Sequence, residues 1–276
     1  MKDKRLVRLE QGKNRGKNVE QVFKLYKNDF KNLKILDIGC GFGSLTLDFA
    51  KEFKKVHSID AGNKQIETTK KRVKENNLKN VSVHKDNALN LKTTNDKFDI
   101  IHLTGVFEWL RAGDLNKSAY QTQNIFLKNI KNNMNDDAIL YSGTENKGFP
   151  FFWIKDPHND KWPLMVLLPE KLSDFIFKIF KNRKYTAKIY TYWTLKKMFK
   201  KHFKKVDFYI PIPHYQYVFE FADINNRKEI IQKCNKVLKT KKLDFKHKVS
   251  VKWIKWTTRF GLIKLFTPGF ITVVKK

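Results

Sequence analysis

Cysteine is scarce in this chain: two residues in 276, Cys40 and Cys234. Two thiols so far apart make no disulfide framework, which sets aside the small stapled secreted class and leads us to expect a reducing, cytoplasmic setting. No apolar run approaches the ~20 residues that cross a bilayer. Met1-Lys2-Asp3-Lys4-Arg5 runs into polar sequence where a secretion signal would have an apolar core, so no transmembrane or targeting segment is expected. Acids are also in short supply. There are 27 Asp and Glu against 57 Lys and Arg, a formal net charge of +30. Such a surplus suits a polyanion: nucleic acid or an anionic membrane surface. Arginine, the better tool for bidentate phosphate recognition, is rare beside lysine, and the excess is spread along the chain without a nucleic-acid module. An ordinary lysine-rich surface is therefore the first reading and a polyanion partner the second.

What is present is concentrated in one stretch, Lys34-Ile35-Leu36-Asp37-Ile38-Gly39-Cys40-Gly41-Phe42-Gly43-Ser44. A short apolar strand ends in glycines at alternate positions, and a helical pattern (Leu45, Leu47, Phe49, Ala50) begins directly after. A ligand can lie against bare backbone there, facing the unpaired N–H groups of a helix start. The spacing is G-x-G-x-G, not the G-x-G-x-x-G of dinucleotide folds. Asp37 inside the turn would repel a pyrophosphate but accept from an ammonium, which favours a ligand with an amino-acid moiety. Val56–Asp60 is a second strand ending in an acid, 17 residues past Gly43 and placed for a ribose diol. Val81–Ala88 is a third, whose Asp86-Asn87 end suits a purine edge, and Lys97–Gly105 is a fourth.

Asp37–Gly43, Asp60, Asp86–Ala88 and Phe98–Leu110, in that order at βα spacing, resemble the class I S-adenosylmethionine (SAM) methyltransferases over about residues 30–145. The resemblance implies SAM as cofactor. It assigns Asp37, Gly39, Cys40, Gly41 and Gly43 to the methionine end, Asp60 and Ala61 to the ribose, and Asp86, Asn87 and Ala88 to the adenine. Thr104 and Gly105 would flank the reacting end. The downstream pattern resembles a bacterial subgroup found with surface-polysaccharide and glycosyltransferase genes. It is carried by Gly105-Val106-Phe107-Glu108-Trp109, Glu145-Asn146-Lys147, Pro157-His158-Asn159-Asp160, Tyr190-Thr191-Tyr192 and Pro211-Ile212-Pro213-His214-Tyr215. The acid and histidine of the third segment are permuted relative to that subgroup.

The expected fold is α/β, a seven-stranded Rossmann-like sheet with helices on both faces. Strands are expected at 34–38, 55–59, 80–84, 98–103, 137–142, 206–211 and 270–274, and helices at 44–53, 63–77, 119–134 and about 194–203. Residues 1–32 read as a helical segment lidding the cofactor end. Arg15-Gly16-Lys17 within it reads as solvated surface, with a contact to the cofactor carboxylate as the alternative. The methyltransferase domain spans 33–276, with insertions at about 145–188 and 212–265 forming the acceptor side.

Methyl transfer to a hydroxyl needs alignment and a base. His158 and His214, in loops facing the mouth, and Glu145 are the candidate catalytic groups, against a plain reading as surface histidines in proline turns. Glu108, Asn146, Asp160 and Tyr215 are candidate acceptor-binding residues. His102, within the fourth strand, reads as a satisfied core group, as do His57 and His84. No metal site is expected, because His158 and Asp160 find no third ligand at useful spacing. The reading is a SAM-dependent methyltransferase acting on a hydroxyl of a saccharide or other small metabolite. Two rivals stand beside it: an RNA or other nucleic-acid methyltransferase, and a non-catalytic SAM-binding or peripheral membrane protein using the basic aromatic helix near Lys252–Arg259.

Overall fold

A computed structural model describes residues 15–239 and 243–276. At its centre is one mixed sheet of eight strands in the order β3-β2-β1-β4-β5-β8-β6-β7. β1 (Lys34–Ile38), β2 (Lys55–Asp60), β3 (Val81–Lys85), β4 (Phe98–Thr104) and β5 (Met134–Glu145) run parallel. β8 (Gly269–Lys275) lies antiparallel between β5 and β6 (Lys205–His214), and β7 (Tyr217–Asp223) pairs antiparallel with β6 at the edge. The central strands are covered on both faces, which is why Ile35, Leu36, Ile100, Ile101, Ile139 and Leu140 are all buried and their sequences read as apolar runs without alternation.

On one face α1 (Arg15–Phe23) and α2 (Ser44–Glu52) bring Val22, Phe23 and Phe49 onto Ile35, Ile100 and Tyr141. On the other, α4 (Ala119–Asn129), α7 (Tyr192–His202), α8 (Arg227–Leu238) and α9 (Phe245–Arg259) bring Phe126, Phe199, Cys234 and Ile254 onto Leu36, Ile101 and Leu140. α3 (Asn63–Glu75) packs Ile66 against Cys40 and Val83. Two elements, α5 (Pro150–Ile154) and α6 (Glu170–Lys181), lie between β5 and α7, and α10 (Ile263–Phe266) precedes β8. No helix among the described residues is long and apolar enough to cross a membrane.

Four expectations need correction. The sheet has eight strands, not seven, and the segment read as a largely helical insertion from 212 contains the end of β6 and all of β7. The hairpin joining them turns on Tyr215-Gln216, without the Asn or Gly that marks a tight turn in sequence. The helix expected over 119–134 ends at Asn129, and a 3-10 turn (Ile130–Asn133) leads into β5 at Met134. β5 begins with a polar Asn135-Asp136-Asp137 that carries no strand pattern. Lastly, the helix expected to lid the cofactor is a core element, because Val19, Val22 and Phe23 are buried against α2 and the sheet. Residues 1–14 of that predicted segment lie outside the described residues.

Candidate functional site

The carboxyl ends of β1, β2, β3 and β4 open onto a cavity of about 880 Å³. Its floor is the turn after β1. Gly39, Gly41 and Gly43 adopt φ of 71°, 56° and 78°, the left-handed region in which a side chain is strained. The reasons differ between the three. A Cβ on Gly39 would stand 2.2 Å from Val106 Cγ2, and one on Gly43 would stand 2.8 Å from Thr69 Cγ2, so both glycines serve close packing. A Cβ on Gly41 would meet nothing within 4 Å. Gly41 is bare toward the cavity, a cradle that a side chain would fill. The turn is stiff: Gly39 and Cys40 N–H donate to Ile59 O (2.8 and 3.0 Å), Thr69 Oγ1 donates to Gly41 O (2.9 Å) and Arg72 to Phe42 O (2.5 Å).

Asp60 at the end of β2 accepts from the N–H groups of Gly41 (2.9 Å) and Gly62 (2.9 Å), so two backbone donors hold its carboxylate at the cavity it lines. Asp86 also lines it, although its carboxylate is committed to its own loop. Asp86 accepts from the N–H groups of Asn87, Lys92 and Thr93 and from Thr93 Oγ1. Burial pushes its carboxyl up, but those hydrogen bonds win and hold it below the ordinary range. Ala61, Asn87, Ala88 and Gly105 complete this wall, with Trp109 and Leu110 closing over it. Gly43 lies behind the turn, toward Thr69 and Leu47.

Asp37 is buried within the sheet. Its oxygens accept from His102 Nδ1–H (2.9 Å) and Thr46 Oγ1 (2.7 Å), and Thr104 Oγ1 bonds to His102 Nε2 (2.8 Å). His102 is thus the satisfied core group expected of it, and it connects Asp37 to Thr104. His57, stacked on His84 at 4.9 Å, is held by burial down to about 4 and stays neutral.

A second cavity, about 820 Å³, meets the first at Gly39, Gly41, Phe42 and Gly105. Asp37, Cys40, Thr104, Glu145, His158 and His214 line it. Around it the sheet and both later segments assemble a polar cluster. Glu145, the last residue of β5, accepts from Tyr215 Oη (2.6 Å) and lies 3.1 Å from His158 Nε2. Glu108, wholly buried, accepts from Thr144 Oγ1 (3.1 Å), and its other oxygen is 3.7 Å from the same His158 nitrogen. Two buried carboxyls this close cannot both ionise. Burial, then the Glu145 charge, push Glu108 far above the carboxylate range, and it keeps its proton. Burial opposes ionisation of Glu145 too, but the hydrogen bonds it accepts from His158 and Tyr215 hold it well below that range. His214 is pushed down to about 4 by burial and is neutral near pH 7.

Glu108, Glu145 and His158 offer one ligand atom each within 4.8 Å of one another. Two carboxyls and an imidazole are a donor set for a hard divalent cation. Spacing in sequence leads us to expect no metal site, the nearest cluster being His158 with Asp160, which the structure separates. Asp160 sits on an exposed turn, with its carboxylate on Arg183 (3.2 Å) and Lys181 (3.6 Å), away from the cavity. Asn146 is likewise removed from any acceptor role: its amide donates to Leu265 O and Thr267 O and accepts from Gly148 N–H, tying β5 to the approach to β8. Tyr215 is buried beneath the cavity and acts on Glu145. Arg15, read as surface, lines the second cavity with a buried Nε that finds no hydrogen-bond partner among the described residues. Gln216, Tyr217 and Trp109 also line the site without having been singled out. Gln216 and Tyr217 belong to the hairpin that the sequence did not signal.

The methyltransferase-domain family matches residues 29–204, more than half of the chain. A ubiquinone biosynthesis O-methyltransferase of Pelagibacter ubique is 30% identical over 132 residues, 47% of this chain and 50% of that one. An uncharacterised Rickettsia prowazekii protein is 35% identical over 96 residues, covering 34% of this chain and 38% of that one. The chain spans half or less of the length of these curated relatives. Among solved structures, the Haemonchus contortus phosphoethanolamine N-methyltransferase 2, in complex with phosphomonomethylethanolamine and S-adenosylhomocysteine, superposes with a TM-score of 0.51. It shares 13% identity over 94% of this chain and 51% of that one, a likeness of fold. This chain belongs to the methyltransferase-domain family, and the domain it carries is of the SAM-dependent kind.

Proposed function

We propose that this family member transfers the methyl of SAM to a hydroxyl of a saccharide or other small metabolite, with His158 as the base. The cofactor fits the first cavity: bare backbone at Gly41, a backbone-aimed carboxylate at Asp60 and a close glycine, Gly105, at the junction with the second cavity. Bound there, SAM supplies a methyl group activated by its sulfonium. Arg15, which lines the second cavity next to the glycine turn, is placed for a carboxylate at the methionine end. The protein's remaining task is to seat an acceptor in the second cavity and take its proton.

The observation that carries the reading is the pair Glu145–His158 on the wall of that cavity. With Glu145 ionised and His158 Nε2–H donating to it, the imidazole lone pair is on Nδ1. Glu145 stabilises the imidazolium formed when an acceptor hydroxyl gives up its proton, and Tyr215 and protonated Glu108 keep Glu145 in place. A saccharide suits the polar lining provided by Arg15, His214 and Gln216. Kinship with an O-methyltransferase of ubiquinone biosynthesis supports an oxygen acceptor. An RNA acceptor is the second reading, supported by the charge of +30 and by Trp193, exposed on α7 among Lys196, Lys197 and Lys200.

The test is transfer of isotope-labelled methyl to hydroxyl acceptors, nucleotide sugars first, beside calorimetric binding of S-adenosylhomocysteine. His158→Asn should lower transfer by about 10²–10⁴-fold while leaving that affinity unchanged. Asp60→Ala should weaken the affinity by about 1–3 kcal/mol. A His158→Asn enzyme with the wild-type rate would refute the base, and label found in RNA would move the acceptor. Chelation by EDTA should leave the rate intact. A loss restored by Mg²⁺ would reassign Glu108, Glu145 and His158 as metal ligands.

A further inference from the structure

α6 is oriented against the usual rule. Leu172, Phe175, Ile176 and Ile179 fall at i, i+3, i+4 and i+7, a stripe that ordinarily faces a core, with Phe180 beside it. Here most of the stripe faces outward: Phe175, Ile179 and Phe180 are 62%, 60% and 66% exposed, while Ile176 is half-buried against Phe177 and Tyr185. The opposite side holds the helix down. Phe177 and Ser173 are buried, and Asp174 accepts two hydrogen bonds from the Arg111 guanidinium (2.7 and 2.5 Å). Glu170 stands 3.3 Å from Arg111 Nε and accepts from the N–H of Ala119 at the start of α4. This polar clamp fixes the rotation of α6, so the outward apolar stripe is built into the fold.

The rim of the stripe is cationic. Lys171 and Lys178 flank it, while both acids of the helix are turned toward Arg111. An aromatic and aliphatic face edged by lysines is the surface of a helix that lies in the interface of an anionic bilayer. A second copy of this chain would bring the same cations, within the same +30, against them. The insertion also connects this surface to the site. Phe151, Phe152, Ile154 and Pro157 line a groove of about 470 Å³, and Phe152 and Pro157 also wall the second cavity beside His158. Trp162 packs on Phe180 (5.7 Å between rings) and Leu164 N–H donates to Trp153 O (2.6 Å), joining groove and helix in one unit.

We propose that α6 seats the insertion on an anionic membrane, and that the acceptor is amphiphilic, with its hydroxyl in the second cavity and its apolar part in the groove. The substrate half of this proposal rests on the methyl-acceptor reading of that cavity, whereas the docking half does not. Co-sedimentation of the full chain with phosphatidylcholine vesicles, with and without phosphatidylglycerol, tests it. The wild type should pellet with the phosphatidylglycerol vesicles only. The combined Leu172→Ser, Phe175→Ser and Ile179→Ser variant should bind them about tenfold or more weakly, with melting temperature and S-adenosylhomocysteine affinity unchanged. A wild type that binds neither vesicle overturns the proposal. So does a variant that binds as well as wild type, since charge alone would then suffice. So does a wild-type dimer that the variant makes monomeric, since the stripe would then be a subunit interface. Vesicle binding is read without methyl transfer, so failure of the transfer assay and failure of docking are seen separately.

Discussion

The two halves of the cleft are built on different principles. The first cavity, the proposed cofactor half, is built from successive βα units. Four consecutive strand ends each contribute a turn, and the groups that matter are backbone or are held by backbone: bare Gly41, Asp60 between two N–H donors, and Asp86 in its own loop. The second cavity, the proposed acceptor half, gathers carboxyls, a histidine and a tyrosine from β5, the segment after β4, the insertion and the β6–β7 hairpin. Glu145 meets Tyr215 across 70 residues of chain and His158 across 13, and Thr144 meets Glu108 across 36. The first cavity is held rigid by hydrogen bonds to backbone within and between neighbouring βα units. An assembled site depends on every packing contact that holds its distant parts in register, and it can tune proton affinity because its carboxyls are buried together.

That contrast can be broken at three points. Gly41→Ala should leave the protein folded, at a cost of about 1–2 kcal/mol for a left-handed alanine. It should reduce S-adenosylhomocysteine affinity by about 100-fold, because the new methyl occupies the cradle. Calorimetry beside thermal melting measures both, and an affinity near wild type would mean the ligand does not lie on this turn. Asn146→Ala should do the reverse. It removes a buried amide that satisfies Leu265 O, Thr267 O and Gly148 N–H, and should cost about 2–3 kcal/mol. Methyl transfer should fall while cofactor affinity stays close to wild type. Equal loss of both would mean the halves are one cooperative unit.

The smallest expected effect separates a buried carboxyl of the fold from one of the site. Glu20, between α1 and α2, is pushed up to about 7 by burial and by the Glu52 and Asp48 charges. The folded state then binds more protons than the unfolded one between pH 4.5 and about 7. Its contribution to stability is present below that window and is lost as pH rises through it. Glu20→Gln should abolish this loss and stabilise the protein by about 1 kcal/mol at about pH 8, with no change in transfer. Denaturant melts across the window measure it, and an unchanged pH dependence would remove Glu20 as its source.

Much of the framework of the first cavity was legible in the sequence. Strand, glycine turn and helix follow one another within Lys34–Glu52, and the spacing of Asp60 and Asp86 comes with the βα repeat. The acceptor half was legible in its residue types but not in its pairings. Glu145, His158 and His214 line the second cavity, while Asn146 and Asp160 spend their side chains elsewhere. A polar residue at a loop end has the same appearance in sequence whether it faces a cavity, a backbone carbonyl or a neighbouring lysine. Arg15 was misread for a related reason: a helix start rich in cations looks solvated until the packing of Val19, Val22 and Phe23 draws it inward.

By itself the sequence determined the parallel core, the glycine turn and the order of the acidic strand ends, because apolar runs and left-handed backbone positions act over a few residues. Only the tertiary structure decided that Glu108 keeps its proton while Glu145 loses its own, that Tyr215 serves Glu145, and that α6 turns its apolar stripe outward. Each of those outcomes depends on what a side chain meets after distant segments close around it, through burial, neighbouring charge and a hydrogen-bond partner that spacing along the chain does not encode.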